Sequence, residues 1–105
     1  MNDDKTMNMI GMATRAGKVG KGAFQSEQDI KTGKAQLVIL AQDASDNTKK
    51  KFRNMTNYYE VDLKEIGQCA SLGKYCKKEI LSVITIDDEN FKKAILQTLS
   101  TKSEG

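Results

Sequence analysis

The run Leu37-Val38-Ile39-Leu40-Ala41 limits how this chain can fold more than any other feature. A strand presents alternate residues to opposite faces, so five apolar residues in succession leave it no polar face. The run sits between turn signals and reads as a strand buried on both sides. Such a strand needs a covering layer on each face. The surrounding sequence offers five helical segments alternating with about four strands in all. The expected class is therefore α/β, one sheet covered by helices on both faces.

Asp3 or Asp4 can cap a first helix running to about Arg15, with Met9, Ile10, Ala13 and Ala16 inward and Gly17 as its stop. A short strand follows around Val19, then a second helix over about residues 23–32 that ends at Gly33. Ser45 caps a third helix, with Asp46 in its first turn and Thr48, Phe52 and Met55 facing inward. Residues 58–61 read as a short strand, in which Tyr58 and Tyr59 would be one buried and one edge residue. Ser71 starts a short fourth helix through Leu72, Tyr75 and Cys76. Residues 81–86 alternate well enough for a strand. Asp87 or Asp88 caps a last helix facing inward through Phe91, Ala94, Ile95 and Leu99. The whole of 1–105 reads as one domain, with polar ends at 1–6 and 100–105 that are expected to fray.

With 105 residues and no His, the chain lacks the commonest general base and the commonest metal ligand, so no catalytic residue, metal site or cofactor is expected. Cys69 and Cys76 are spaced wrongly for a Cys-x-x-Cys pair and read as reduced apolar fillers. No signal peptide or bilayer-spanning stretch is evident, which points to a cytoplasmic protein with no membrane partner; no small-molecule substrate is expected. The net charge of +3 matters less than its distribution. Arg15, Lys18 and Lys21 are interleaved with Gly17, Gly20 and Gly22 just before a helix start, where backbone N–H groups favour anions. This is not a phosphate-binding Walker loop, because the Gly-Lys-[Ser/Thr] ending is missing. Lys49, Lys50, Lys51 and Arg53 form a second basic cluster, and Lys74, Lys77 and Lys78 a third. Each alone reads equally as a solvated face; together they fit a nucleic-acid backbone. The acids form no recognisable site; Asp87-Asp88-Glu89 reads as a helix N-terminus.

Three stretches carry a resemblance: residues 10–19 (Ile-Gly-Met-Ala-Thr-Arg-Ala-Gly-Lys-Val), then Gly22, residues 33–41, and above all residues 43–51 (Asp-Ala-Ser-Asp-Asn-Thr-Lys-Lys-Lys). Tyr58-Tyr59-Glu60-Val61, Leu72-Gly73-Lys74 and Asp88-Glu89-Asn90-Phe91 continue it in order. The pattern resembles the YlxQ-type bacterial branch of the L-seven-Ae and L-thirty-e ribosomal protein superfamily over about residues 9–96. The resemblance implies a three-layer α-β-α sandwich around a mixed sheet of about four strands. It also implies binding to kink-turn RNA, a sharply bent internal loop with tandem sheared G·A pairs. In that family a Gly-x-Asn-Glu-x-x-Lys motif opens the second helix and reads the G·A pairs. Here Gly22 keeps its place, whereas Phe24, Gln25 and Gln28 stand at the Asn, Glu and Lys positions. Phe24 has two readings: a core anchor for a helix whose other large apolar residue is Ile30, or a ring facing RNA.

The resulting expectation is a non-catalytic, ribosome-associated, monomeric RNA-binding protein. Gly20, Gly22, Phe24, Gln25 and Gln28 would form the reading surface. Arg15, Lys18, Lys21 and Lys31 would hold phosphates. Gln42 and a loop of Cys69, Ala70 and Ser71, ahead of Leu72, Gly73 and Lys74, would form the opposite wall. The alternatives are a protein-interaction module of the same fold, and a fragment of an RNA-modifying enzyme that uses this fold to bind substrate.

Overall fold

In the computed structural model, which describes residues 2–104 and the side chains of 4–99, helices and strands alternate along the chain. They are α1 (Asn2–Arg15), β1 (Val19–Lys21), α2 (Gly22–Lys31), β2 (Leu37–Leu40), α3 (Asp46–Tyr59), β3 (Asp62–Glu65), α4 (Cys69–Tyr75), β4 (Val83–Ile86) and α5 (Glu89–Glu104). The sheet order is β1-β4-β2-β3. Every residue of β2 and of β4 is buried, as their central places and apolar sequences require. β4 pairs antiparallel with β1 and β2, and β2 runs parallel to β3, so the sheet is mixed.

Helices cover both faces, giving three layers. On one side Asp29 of α2 meets Thr85 of β4, and Glu27 of α2 pairs with Lys51 of α3 at 2.9 Å. On the other, the Thr14 hydroxyl of α1 donates to Cys76 Sγ beyond α4 at 3.5 Å, and the Thr6 and Thr98 hydroxyls join α1 to α5 at 2.6 Å. Ile10, Ile30, Phe52, Leu72 and Ile95 supply one fully buried large apolar side chain from each helix in turn. Each such burial is worth about 1.5–3 kcal/mol.

Ser45 caps α3 by accepting from Thr48 N (3.2 Å), and Asp88 accepts from Phe91 N (3.0 Å) at the start of α5. Helix α1 ends at Arg15 as expected, whereas three other boundaries depart from the sequence pattern. Residues 58–61 are not a strand. Phe52 and Thr56 anchor α3 to the core, so the helix continues through Tyr59, and β3 begins only at Asp62. Glu60 then turns into the left-handed region (φ 59°) and Val61 N bonds back to Thr56 O at 2.9 Å. Tyr58 and Tyr59 are consequently both exposed, their rings edge-to-face at 4.9 Å. Strand β4 is shorter than expected because Leu81 N is taken by Cys69 O. Helix α1 begins at Asn2, so Asp3 and Asp4 lie within its first turn. Its inner face is Thr6, Met7, Ile10, Gly11 and Ala13, while Ala16 is exposed. Thr6 is therefore core, not a frayed end. The remaining end positions, 1–3 and 100–105, lie outside the described side chains.

Candidate functional site

The strand registers gather four junctions at one end of the sheet. Lys21 lies opposite Ile84 and Leu40 opposite Val83, while β3 runs alongside β2. The exits of β1, β2 and β3 and the entry of β4 therefore share that end. Main-chain bonds lock them together: Gln42 N donates to Gly67 O (2.8 Å), Ala41 N to Ser82 O (2.8 Å) and Leu81 N to Cys69 O (3.0 Å). Side chains add Gln68 Nε2 to Gln42 Oε1 (3.4 Å) and Cys69 Sγ to Ser82 Oγ (3.8 Å).

The start of α2 is open. Lys21 precedes it in extended backbone, with no side-chain cap and no acid in the first turn. Gly22 has φ +86°, a conformation that would strain any other residue. Phe24 is 78% exposed, which decides against the core reading: Ser26, Asp29 and Ile30 bury the inner face of α2. Gln28 is exposed. Gln25 is committed to its own helix, its Nε2 donating to Asp29 Oδ1 at 2.8 Å. Gly20 is not part of any reading surface. It is buried in β1, and a Cβ there would overlap the Asp29 and Thr85 oxygens.

The opposite wall differs from a loop. Cys69, Ala70 and Ser71 form the first turn of α4, and Asp43 reaches across from the β2–α3 loop to accept from Cys69 N at 2.7 Å. Hydrogen bonding from the Cys69 thiol, and then from its backbone N–H, holds the Asp43 carboxyl below its ordinary pKa, and burial followed by the Asp43 contact raises the Cys69 thiol. The chain thus fills this helix N-terminus with its own carboxylate. Leu72 and Gly73 face inward rather than toward a ligand. A Cβ on Gly73 would stand 2.6 Å from Glu79 C and 2.8 Å from Ile80 N, so glycine lets the 77–82 loop lie directly against α4. That loop ends in the exposed Ile80 (65%), which the sequence pattern did not single out, and in the buried Leu81 beside Gly22.

The model of the ribosomal protein L7Ae/L30e/S12e/Gadd45 family matches residues 4–96. The chain belongs to this family. It is 36% identical over 91 residues to the RNA-binding protein YlxQ of Bacillus subtilis, covering 87% of this chain and 91% of that protein. Against the RNA-binding protein YlxQ of Enterococcus faecium the identity is 41% over 92 residues, 88% of each chain. Among solved structures, a Bacillus halodurans protein with unknown function superposes with a TM-score of 0.86 at 29% identity, over 91% of this chain and 97% of that one. The Giardia lamblia 15.5kD RNA binding protein superposes at 0.78 and 20% identity, over 95% and 86% of the two chains, a likeness of fold.

Within this family member the cations divide. Arg15 and Lys74 meet in an open groove between α1 and α4, which Met12, Tyr75 and Lys77 also line. Gly20 faces Asp29 of α2, so its strand neighbour Lys21 projects to the opposite face of the sheet, the side of α1 and α4. Lys18 and Lys31 stand at the other end of the sheet: Lys18 O accepts from Asp87 N beyond β4, and Lys31 closes α2. Lys31 is also neutralised. Its ammonium lies 2.7 Å from Glu27, which Lys51 contacts as well, and the two lysines hold the Glu27 carboxyl at about 2. Lys49 and Arg53 both face Glu65 and Lys51 contacts Glu27, while Lys50 is exposed with no ion pair among the described residues.

Two acids do assemble, contrary to the sequence expectation, at the end away from α2's start. Burial opposes ionisation of Asp29, but hydrogen bonds from Asp87, Gln25 and Thr85 outweigh it and keep its pKa below the ordinary value. Burial and the adjoining Asp29 push Asp87 up to about 7, and Asp87 Oδ1 has no other partner. Near neutral pH the pair therefore holds a shared proton only part of the time. Among the described residues, no group of three or more His, Cys, Asp or Glu side chains is placed to hold a metal ion. Nor, among them, is any helix long and apolar enough to cross a membrane.

Proposed function

We propose that this chain is a non-catalytic RNA-binding protein of the cytoplasm that engages structured, sharply bent RNA of the kink-turn type as a monomer, in association with the ribosome. One observation carries the reading. In a chain that shares 36% and 41% identity with proteins named for RNA binding, the open start of α2, held by the β1–β4 ladder, stands at the same end of the sheet as the β2–α3 loop and the start of α4. A bent RNA presents closely spaced phosphates, and a fixed end flanked by Lys21, Lys74 and Lys77 suits it better than a flat surface would.

The test is a titration of a kink-turn RNA and of a plain duplex of equal length over a range of salt. The kink-turn should bind more tightly. Replacing Lys21 and Lys74 together by Ala should weaken binding and flatten the slope of log affinity against log salt by about 0.7–0.9 for each lost phosphate contact. Lys31→Ala should change neither, since Lys31 stands at the other end of the sheet and is paired with Glu27. Equal binding of the two RNAs would refute the kink-turn preference, and absence of RNA binding would shift the reading to a protein-docking module.

A further inference from the structure

We propose that the start of α2 holds RNA by stacking an unpaired base on Phe24, with Ile80 as the flanking apolar contact, in place of hydrogen-bond reading of base edges. The inference rests on the RNA-binding reading above and names the element of the RNA that this surface takes.

Three observations support it. Phe24 and Ile80 are 78% and 65% exposed, two of the most exposed large apolar side chains in the molecule, and both belong to the same end of the sheet. Gly22, two residues before Phe24, packs beside Leu81, the neighbour of Ile80. The amide next to Phe24 in sequence is occupied elsewhere. Gln25 turns its amide inward to Asp29 Oδ1, where it supports the buried carboxyl pair. The apolar contact is also fixed in place. Lys78 N donates to Gly73 O at 2.7 Å and Leu81 N to Cys69 O at 3.0 Å, so the loop carrying Ile80 is pinned on either side of it.

The charges around the pair select the occupant. Lys21 precedes α2, Lys77 and Lys78 precede Ile80, and the first turn of α2 has no acid; Glu79 is the one carboxylate in the 77–82 loop. An apolar ring bordered by cations fits a base attached to a phosphate backbone, whereas an apolar peptide would leave those cations without partners. Because every base has a π-face, recognition here is tolerant of base identity and depends on the base being out of the helical stack.

The experiment uses an RNA stem with an internal loop and one extruded nucleotide, which is in turn an ordinary base, 2-aminopurine or an abasic sugar. The wild-type chain should quench 2-aminopurine and bind the abasic RNA about ten- to a hundred-fold more weakly than the intact one. Phe24→Ala should bind intact RNA as weakly as the wild type binds abasic RNA, with no further loss when both changes are combined. Phe24→Tyr should restore binding. The thermal midpoint of Phe24→Ala should match the wild type, because the ring is exposed. Stacking is overturned if Phe24→Ala binds intact RNA normally, or loses affinity equally for intact and abasic RNA; the Lys21 and Lys74 response then still stands for RNA binding. If the wild type binds none of these RNAs, the RNA-binding reading itself falls, and a peptide-docking role for Phe24 takes its place.

Discussion

Replacing Asp87 by Asn should stabilise the protein above neutral pH and leave it almost unchanged in mild acid. Asp87 binds its proton with a pKa of about 7 in the fold and an ordinary value of 3.8 in the unfolded chain. The native state therefore holds more protons than the unfolded state between those values, so stability falls as pH rises through that window. A gap of about three units at about 1.4 kcal/mol each sets an upper limit of about 4 kcal/mol. Asp87 is only half-buried, and solvent screening reduces the expected loss to about 2 kcal/mol by pH 8. Asn keeps an N–H that can donate to Asp29 as the protonated carboxyl does, and it does not ionise. The depressed carboxyls of Asp29, Asp43 and Glu27 gain their stabilisation as pH rises through the acid range, so the interval from pH 5 to 8 isolates Asp87. Urea melts followed by far-ultraviolet circular dichroism at pH 5, 6, 7 and 8 give both slopes. A wild type whose stability is flat across that interval, or an Asn variant that declines in parallel with it, would refute the shared proton.

Two further outcomes concern the backbone. Lys77 is held in the left-handed region at φ 63°, where Lys78 N closes α4 onto Gly73 O. Lys77→Gly should remove that strain at a smaller entropic cost and stabilise by about 0.5–1 kcal/mol, a rise of a few degrees in Tm; Lys77→Ala, which keeps the strain, should give no rise. Gly73→Ala should force the Glu79–Ile80 backbone away from α4, with a loss of about 1–3 kcal/mol in urea melts, and should weaken RNA binding beyond what Ile80→Ala alone does. Normal stability of Gly73→Ala would show that the 77–82 loop is free to shift.

The layered architecture was legible because it rests on runs and periodicities. Residues 37–41 could only be a strand buried on both sides, and Ser45 and Asp88 announced their helices by type and position. The boundary at Tyr58 was not legible, since two aromatic residues favour a strand locally while Phe52 and Thr56, earlier in the same helix, hold it to the core. Gly22, Phe24, Gln42 and the start of α4 lie at one end of the sheet. The cations do not. Lys18, Lys21 and Lys31 are close in sequence, but β1 separates Lys18 from Lys21, and α2 carries the chain back so that Lys31 stands at the end of the sheet away from Lys21. Gln25 and Asp87 were misjudged for one reason: the partner that decides each is Asp29, whose burial beneath Gly20 has no signature in the sequence.

The strand order has a consequence for how the chain is made. β4 is the last strand in sequence, yet it lies between β1 and β2. Until residues 83–86 leave the ribosome, β1 has no neighbour, and β2 can bond only to β3 along one edge. The nascent chain therefore carries the apolar Leu37–Leu40 strand with an open edge through most of its synthesis, and the sheet closes in one late event when β4 is inserted. A ribosome stalled before residue 83 would hold a protease-sensitive, aggregation-prone intermediate. One stalled far enough beyond residue 86 for β4 to clear the exit tunnel would hold a folded sheet, so the onset of protease resistance should be abrupt along the chain.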